Sequence, residues 1–393
     1  MRAVTWQGKR KVSVETVPDP RIIEPTDAIV RITSTAICGS DLHLYELLGA
    51  FLDAGDILGH ESMGIVEEVG SAVTNIKPGD RVVVPFNIAC GTCFMCVRGL
   101  QSQCETTQVR EQNSGATLFG YTKLYGQVPG GQAEYLRVPR ADYNTVPVGS
   151  DLPDHRYLFL SDILPTAWQG VKYANAEPGS TIAVMGLGPV GQLVTRVATH
   201  LGYEVLAVDP VVERREMAGR HGIETYDQTD DVVEQLRDRT DGRGPAAVID
   251  AVGMEAHGNP VAAFAQAATT ILPDPIAQAA MKNVGIDRLA ALHSSIDLVR
   301  RGGTVSLSGV YSGQADMLPM MTMFDKQVTL RMGQCNVKNW TDELIPLVED
   351  PSDPFGLDDL VTHRVGIDRA PELYETFQKK EDGCIKVVLD PAA

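Results

Sequence analysis

Thr181-Ile-Ala-Val-Met-Gly-Leu-Gly-Pro-Val-Gly191 decides how the middle of this chain folds. Residues 181–185 read as a short apolar strand running straight into glycines at 186, 188 and 191. Val190, Leu193, Val194, Val197, Ala198 and Leu201 then recur at helical spacing along one face. In this strand–turn–helix context Gly186 permits the tight turn and Gly188 lets a pyrophosphate approach the backbone. Gly191 allows close packing of helix on strand. Pro189 and Val190 open the helix, whose N-terminus favours an anion. Glu204–Asp209 reads as the next strand, with Asp209 eighteen residues after Gly191. An acidic side chain there accepts from ribose hydroxyls and repels a 2′-phosphate, so the stretch predicts a dinucleotide site favouring NAD over NADP. Arg214 and Arg215 lie just beyond and keep NADP from being excluded. The alternative is a glycine-rich turn with no ligand, against which the strand–turn–helix order argues.

Further strands are expected at 246–250, 304–307 and 328–331, and their alternation with helices implies a parallel, doubly wound sheet. Residues 254–300 hold more chain than one crossover helix needs and read as an insertion with helical content. Earlier, 28–33, 64–69 and 81–84 are short strands between Gly, Pro and Asp, the last delivered by the turn Lys77-Pro-Gly-Asp80. That part reads as an all-β, barrel-like unit, and the chain beyond about 336 returns to it.

A chain of 393 residues is long enough for two full cores, and 44% hydrophobic content suits a globular protein. A net charge of −17 argues against a nucleic-acid partner. No secretory signal and no bilayer-length apolar run is visible, so the expected setting is the cytoplasm, without a membrane partner.

Four of the seven cysteines lie within fifteen residues: Cys90, Cys93, Cys96 and Cys104. That spacing suits a tetrahedral zinc with no open position, hence a structural one. Disulfides or loose thiols are the other readings, less suited to a reducing compartment. Cys335 and Cys384 read as unpaired core residues.

Two more motifs precede that loop, Cys38-Gly-Ser40-Asp41-Leu-His43 and Gly59-His60-Glu61. With the cysteine loop and the glycine fingerprint they resemble the zinc-dependent medium-chain alcohol dehydrogenases, over essentially the whole chain. The resemblance implies an α/β protein: a GroES-like β-rich catalytic domain over 1–163 and 338–393, carrying the zinc loop 90–104, and a Rossmann domain over 164–337. It implies two zinc ions per chain, NAD, a small alcohol or aldehyde substrate, and a dimer or tetramer. Cys38 and His60 match catalytic zinc ligands of that family. Asp162, in Leu160-Ser-Asp-Ile-Leu-Pro-Thr166, stands where many members carry a ligating cysteine, and a carboxylate binds zinc well. Asp162 as a helix N-cap is the alternative, which leaves Glu61 as the substitute ligand or no metal.

By the same resemblance Ser40 takes the alcohol proton and passes it through the nicotinamide ribose toward His43, while Asp41 orients His60. Glu61 is a buried charge behind the zinc, an alternate ligand, or simply structural. Thr166 matches a nicotinamide contact, Val310 joins the cofactor-binding set, and Phe86 matches a substrate-pocket position. His43 alone would read as a surface histidine. Ser-Asp-Ile-Leu-Pro-Thr, Gly130-Gly-Gln-Ala-Glu-Tyr135 and the insertion look most like the glutathione-independent formaldehyde dehydrogenase branch. Alcohol oxidation is therefore the leading expectation. Aldehyde oxidation through a gem-diol or a thiol adduct is the rival, and a non-catalytic NAD-binding protein the outsider.

Overall fold

The computed structural model describes residues 1–149, 151–253, 289–311 and 318–393. It contains two compact units, Met1–Pro165 with Cys335–Ala393, and Thr166–Gln334.

The first unit is built on a seven-stranded sheet. Its path runs His363–Gly366, Val387–Asp390, Ala28–Ile37, Glu61–Val69, Arg81–Val84 and Val146–Pro147, and Tyr135–Val138 pairs beside Ala28–Ile37. Ala28, Val30 and Ile32 alternate inward, as the two-residue period of a strand requires, and pack with Val66, Val82, Val84, Phe119 and Leu136. Two of these strands are longer than expected, starting at Glu61 and ending at Ile37. The irregularity in pairing between Ile32 and Ser34 breaks the alternation on which the sequence reading depended.

Register here has a chemical consequence. Ala36 pairs antiparallel with Glu61, so the end of one strand and the start of its neighbour bring Cys38 and His60 together. Val387 pairs antiparallel with Ile37, which carries Lys386 to the same place.

The second unit holds a six-stranded sheet, all parallel, in the order Glu224–Tyr226, Glu204–Val208, Thr181–Met185, Ala247–Asp250, Thr304–Leu307, Thr329–Met332. Ile182, Ala183 and Val184 are wholly buried in succession, as a sheet covered on both faces demands. The insertion read at 254–300 falls largely outside the described residues. Its end is the helix Ala290–Leu298, which packs Leu292, Ile296 and Leu298 into the core of the sheet.

Candidate active site

The cysteine loop gathers its four sulfurs within 4.8 Å of one another. Cys90 and Cys96 Sγ are 4.0 Å apart, Cys93 and Cys104 Sγ 3.9 Å. A disulfide needs about 2.05 Å, whereas zinc at about 2.3 Å from each sulfur spaces them roughly 3.8 Å apart. None of the seven cysteines forms a disulfide, and Cys335 and Cys384 are buried. Backbone amides are aimed at the sulfurs: Thr92 and Cys93 N–H donate to Cys90 Sγ, Cys90 N–H to Cys104 Sγ, and Glu105 N–H to Cys93 Sγ. Burial works against ionisation of Cys90, but hydrogen bonds from Thr106, Thr92 and Cys93 pull its thiol down to about 5. A preformed thiolate is the form that binds metal.

The second cluster holds Cys38, His60, Glu61 and Asp162, again with one donor atom each within 4.8 Å. His60 Nε2 lies 3.3 Å from Asp162 Oδ2, and Cys38 Sγ lies 3.7 Å from the same oxygen. Donors about 2.0–2.3 Å from one zinc stand roughly 3.3–3.8 Å apart, so this set fits the ion. Asp162 is held in place through its neighbour, because Phe86 N–H donates to the Ser161 carbonyl at 3.1 Å. The other face of the imidazole approaches Asp41, with His60 Nδ1 3.2 Å from Asp41 Oδ1. That is an ion-pair contact and not a well-aligned hydrogen bond. Ser40 Oγ is 3.0 Å from His60 Nε2. His43 lies on the helix Gly39–Glu46 and is buried, contrary to a surface role.

Burial and the Glu61 carboxylate push the Cys38 thiol up to about 11. Burial lowers His60, but the charges of Asp41 and Cys38 overcome it and hold the imidazole well above its ordinary value. Behind the cluster Lys386 Nζ meets Glu61 Oε1 at 2.6 Å and the Ile37 carbonyl at 3.2 Å. Phe86 and Tyr121 set their rings edge-on to His60, with centroids 6.3 and 6.2 Å away.

Lys386 and Tyr121 were not legible as site residues. The available signal was a lone cation inside the apolar run Cys384-Ile-Lys-Val-Val-Leu389.

In the second unit the helix Pro189–His200 follows the glycine turn. Gly186 has φ +90°, and a Cβ on Gly191 would lie 1.9 Å from the Gly186 carbonyl oxygen. A Cβ on Gly188 would meet only Arg214 Nη1, at 3.8 Å, so that side of the loop is open to a phosphate. Asp209 Oδ2 accepts from Leu187 N–H at 2.7 Å and Oδ1 from Val211 N–H at 2.8 Å. The carboxylate therefore helps to shape the glycine loop. Arg214 Nη1 is 3.7 Å from Asp209 Oδ2, whereas Arg215 pairs with Asp227. Thr166 lies on the helix Ile163–Ala174, and Val310 is 47% exposed.

Residues 24–149 match the alcohol dehydrogenase GroES-like domain and residues 189–272 the zinc-binding dehydrogenase domain. A zinc-type alcohol dehydrogenase-like protein of Bacillus subtilis strain 168 is 38% identical over 100% of both chains. The chain belongs to the zinc-dependent medium-chain alcohol dehydrogenase family.

This dehydrogenase is also 33% identical to formaldehyde dismutase of Pseudomonas putida, over 99% of this chain and 97% of that one. Among solved structures, alcohol dehydrogenase TADH from Thermus sp. ATN1 superposes with a TM-score of 0.81 at 34% identity, over 99% of each chain. A zinc-binding dehydrogenase from Sinorhizobium meliloti 1021 bound to NADP gives 0.74 at 26% identity, over 99% of each. The α/β architecture of GroES-like and Rossmann parts, the zinc-dependent oxidoreductase activity and the use of zinc with a nicotinamide dinucleotide follow from that membership. No helix among the described residues is long and apolar enough to cross a membrane.

Proposed function

We propose that this dehydrogenase oxidises a small alcohol with NAD, the first unit carrying the catalytic zinc and the second the dinucleotide. The approach of Cys38, His60 and Asp162 donors to one another, 3.3–3.7 Å where Asp162 meets the other two, is the observation that carries the reading. Zinc held by these three would supply a Lewis acid that makes an alcohol oxygen more acidic, and NAD bound in the second unit would supply the hydride acceptor. Ser40, beside the ligand nitrogen of His60, accepts the hydroxyl proton, and His43 on the same helix passes it on. Phe86 and Tyr121 wall the imidazole with aromatic carbon and keep water from the reacting centre. Lys386 neutralises Glu61, so that this carboxylate does not compete as a ligand. Asp209 supports NAD over NADP through the charge it sets beside the loop. Cytoplasmic residence is part of the same proposal.

A homo-oligomer, dimer or tetramer, is supported by the edge strand Thr329–Met332 and by the exposed side chains of Met320, Met321, Phe324 and Met332 near it in sequence. Light scattering on the wild type and on Phe324→Asp tests this: a lighter particle for the variant supports it, equal masses do not.

Hydrated aldehyde is the second reading, favoured by the 33% identity to formaldehyde dismutase over nearly the whole chain. A gem-diol hydroxyl engages the same residues. NADH absorbance with NAD and a panel from ethanol and benzyl alcohol to thiol-free formaldehyde separates the two. Turnover on alcohols, lost on chelation, supports the first; NADH formation or dismutation with formaldehyde alone moves the assignment to the second.

A further inference from the structure

Behind His60 runs a line of buried polar groups that the hydride chemistry does not use. Tyr374, on the helix Ala370–Lys379, donates its hydroxyl to Gln132 Oε1 at 2.8 Å. Gln132 Nε2 donates to Asp41 Oδ2 at 3.1 Å and to the Ala36 carbonyl at 3.0 Å. Asp41 Oδ2 also accepts from Cys38 N–H at 3.0 Å, and Asp41 Oδ1 lies 3.2 Å from His60 Nδ1. Asp41, Gln132 and Tyr374 are all 0% exposed. We propose that Tyr374 and Gln132 are positioning residues that lock Asp41, and through it Cys38 and His60, in the arrangement that retains the catalytic metal. The proposal rests on the reading of Cys38 and His60 as ligands.

The chemistry of the amide makes the line directional. Ala36 O and the Asp41 carboxylate only accept, so the NH2 end of Gln132 has to face them. Its oxygen then faces Tyr374 and needs a donor, which the phenol supplies. Burial and the Asp41 charge hold that phenol well above the ordinary tyrosine value, so it stays a donor. Without the hydroxyl, Gln132 Oε1 is buried unpaired, or the amide turns and sets its oxygen against the Asp41 carboxylate. In the first case the amide that holds Asp41 is no longer anchored at its other end, and in the second Asp41 loses its donor.

The backbone is shaped for the same contact. Gly59, immediately before His60, has φ +96°, and a Cβ there would stand 2.4 Å from Gln132 Cγ and 2.6 Å from Gln132 N. Gln132 N–H donates to the Leu58 carbonyl at 3.0 Å and Gly131 N–H to the Gly59 carbonyl at 2.8 Å. The segment 130–132 is thus pressed directly against Leu58 and Gly59, the residues just before His60, and glycine at 59 is what permits it.

The test is zinc release from the holoenzyme to a chromophoric chelator, followed for Tyr374→Phe, Gln132→Met and the control Tyr45→Phe. Tyr45 packs its ring 5.5 Å from that of Tyr374 but lies off the line. The structural zinc serves as internal reference. Tyr374→Phe and Gln132→Met are expected to speed only the catalytic phase, by about 10-fold, and to shift the visible absorption of the cobalt-substituted enzyme, with Tyr45→Phe like wild type. A lower unfolding midpoint with unchanged catalytic-zinc release and cobalt spectrum overturns the proposal, since a merely structural role predicts that pattern. Tyr374→Phe removes a single atom, so it decides the matter even if Gln132→Met fails to fold. A wild-type chain that holds one zinc instead of two overturns the ligand reading itself, and with it this one.

Discussion

Lys386 Nζ lies 2.6 Å from Glu61 Oε1, and neither side chain reaches solvent. Burial pushes the Glu61 carboxyl up, and Lys386 is raised against its own burial by the Glu61 charge. The first direction favours a neutral acid and the second a charged amine. The short contact and the second acceptor at Ile37 O favour the ionised pair.

Removing one member of such a pair leaves a buried charge with no counterion. Lys386→Met is expected to cost about 3–5 kcal/mol in urea unfolding. The double variant with Glu61→Gln should recover most of that loss. If Lys386→Met unfolds like wild type, the pair is not ionised and the neutralising role given to Lys386 is wrong.

Asp162→Asn keeps the shape but removes the negative charge and weakens the donor. The variant is expected to purify with about one zinc per chain instead of two and with greatly reduced turnover. Asp162→Cys should hold the second zinc, because thiolate is an equally good donor. Full zinc in the asparagine variant would show that the carboxylate serves the helix start and not the metal.

Metal loading of the second cluster should depend steeply on pH. In the metal-free protein burial and Glu61 push the Cys38 thiol up to about 11, and against burial the charges of Asp41 and Cys38 hold His60 well above its ordinary value, so both are biased toward their protonated forms. An incoming ion displaces those protons, so affinity rises with pH, by roughly one decade per pH unit for each proton released. Competition titrations of metal-free enzyme between pH 6 and pH 8 measure the slope. A flat profile removes both residues from the ligand set.

The parallel sheet and the glycine turn were legible because buried strands and an amphipathic helix leave periodic signals, and the strand Thr181–Met185 ends where the pattern ends. The cysteine loop was legible because its donors are neighbours in sequence. Lys386, Gln132 and Tyr374 were not. They reach the site through strand register and helix packing across 242 residues between Gln132 and Tyr374 and 325 between Glu61 and Lys386, distances over which no local pattern operates. Asp209 shows a subtler limit: the sequence marks it as a ribose partner, but its two oxygens also hold backbone amides, Leu187 N–H in the glycine loop and Val211 N–H just after its own strand.

That double duty makes Asp209 a sharp test of cofactor choice. Its negative charge disfavours a 2′-phosphate, while Arg214, 3.7 Å away, partly offsets it. Asp209→Asn keeps an acceptor for Leu187 N–H and drops the charge, exposing Arg214 to a phosphate. The ratio of kcat/KM for NADP to that for NAD is expected to rise about 10-fold or more, which corresponds to roughly 1.4 kcal/mol of altered discrimination. Asp209→Ala removes the contacts to Leu187 and Val211 N–H and should weaken the two dinucleotides together. If Asp209→Asn lowers both equally, the aspartate acts by holding the loop and not by its charge, and the preference for NAD has to come from elsewhere in the pocket.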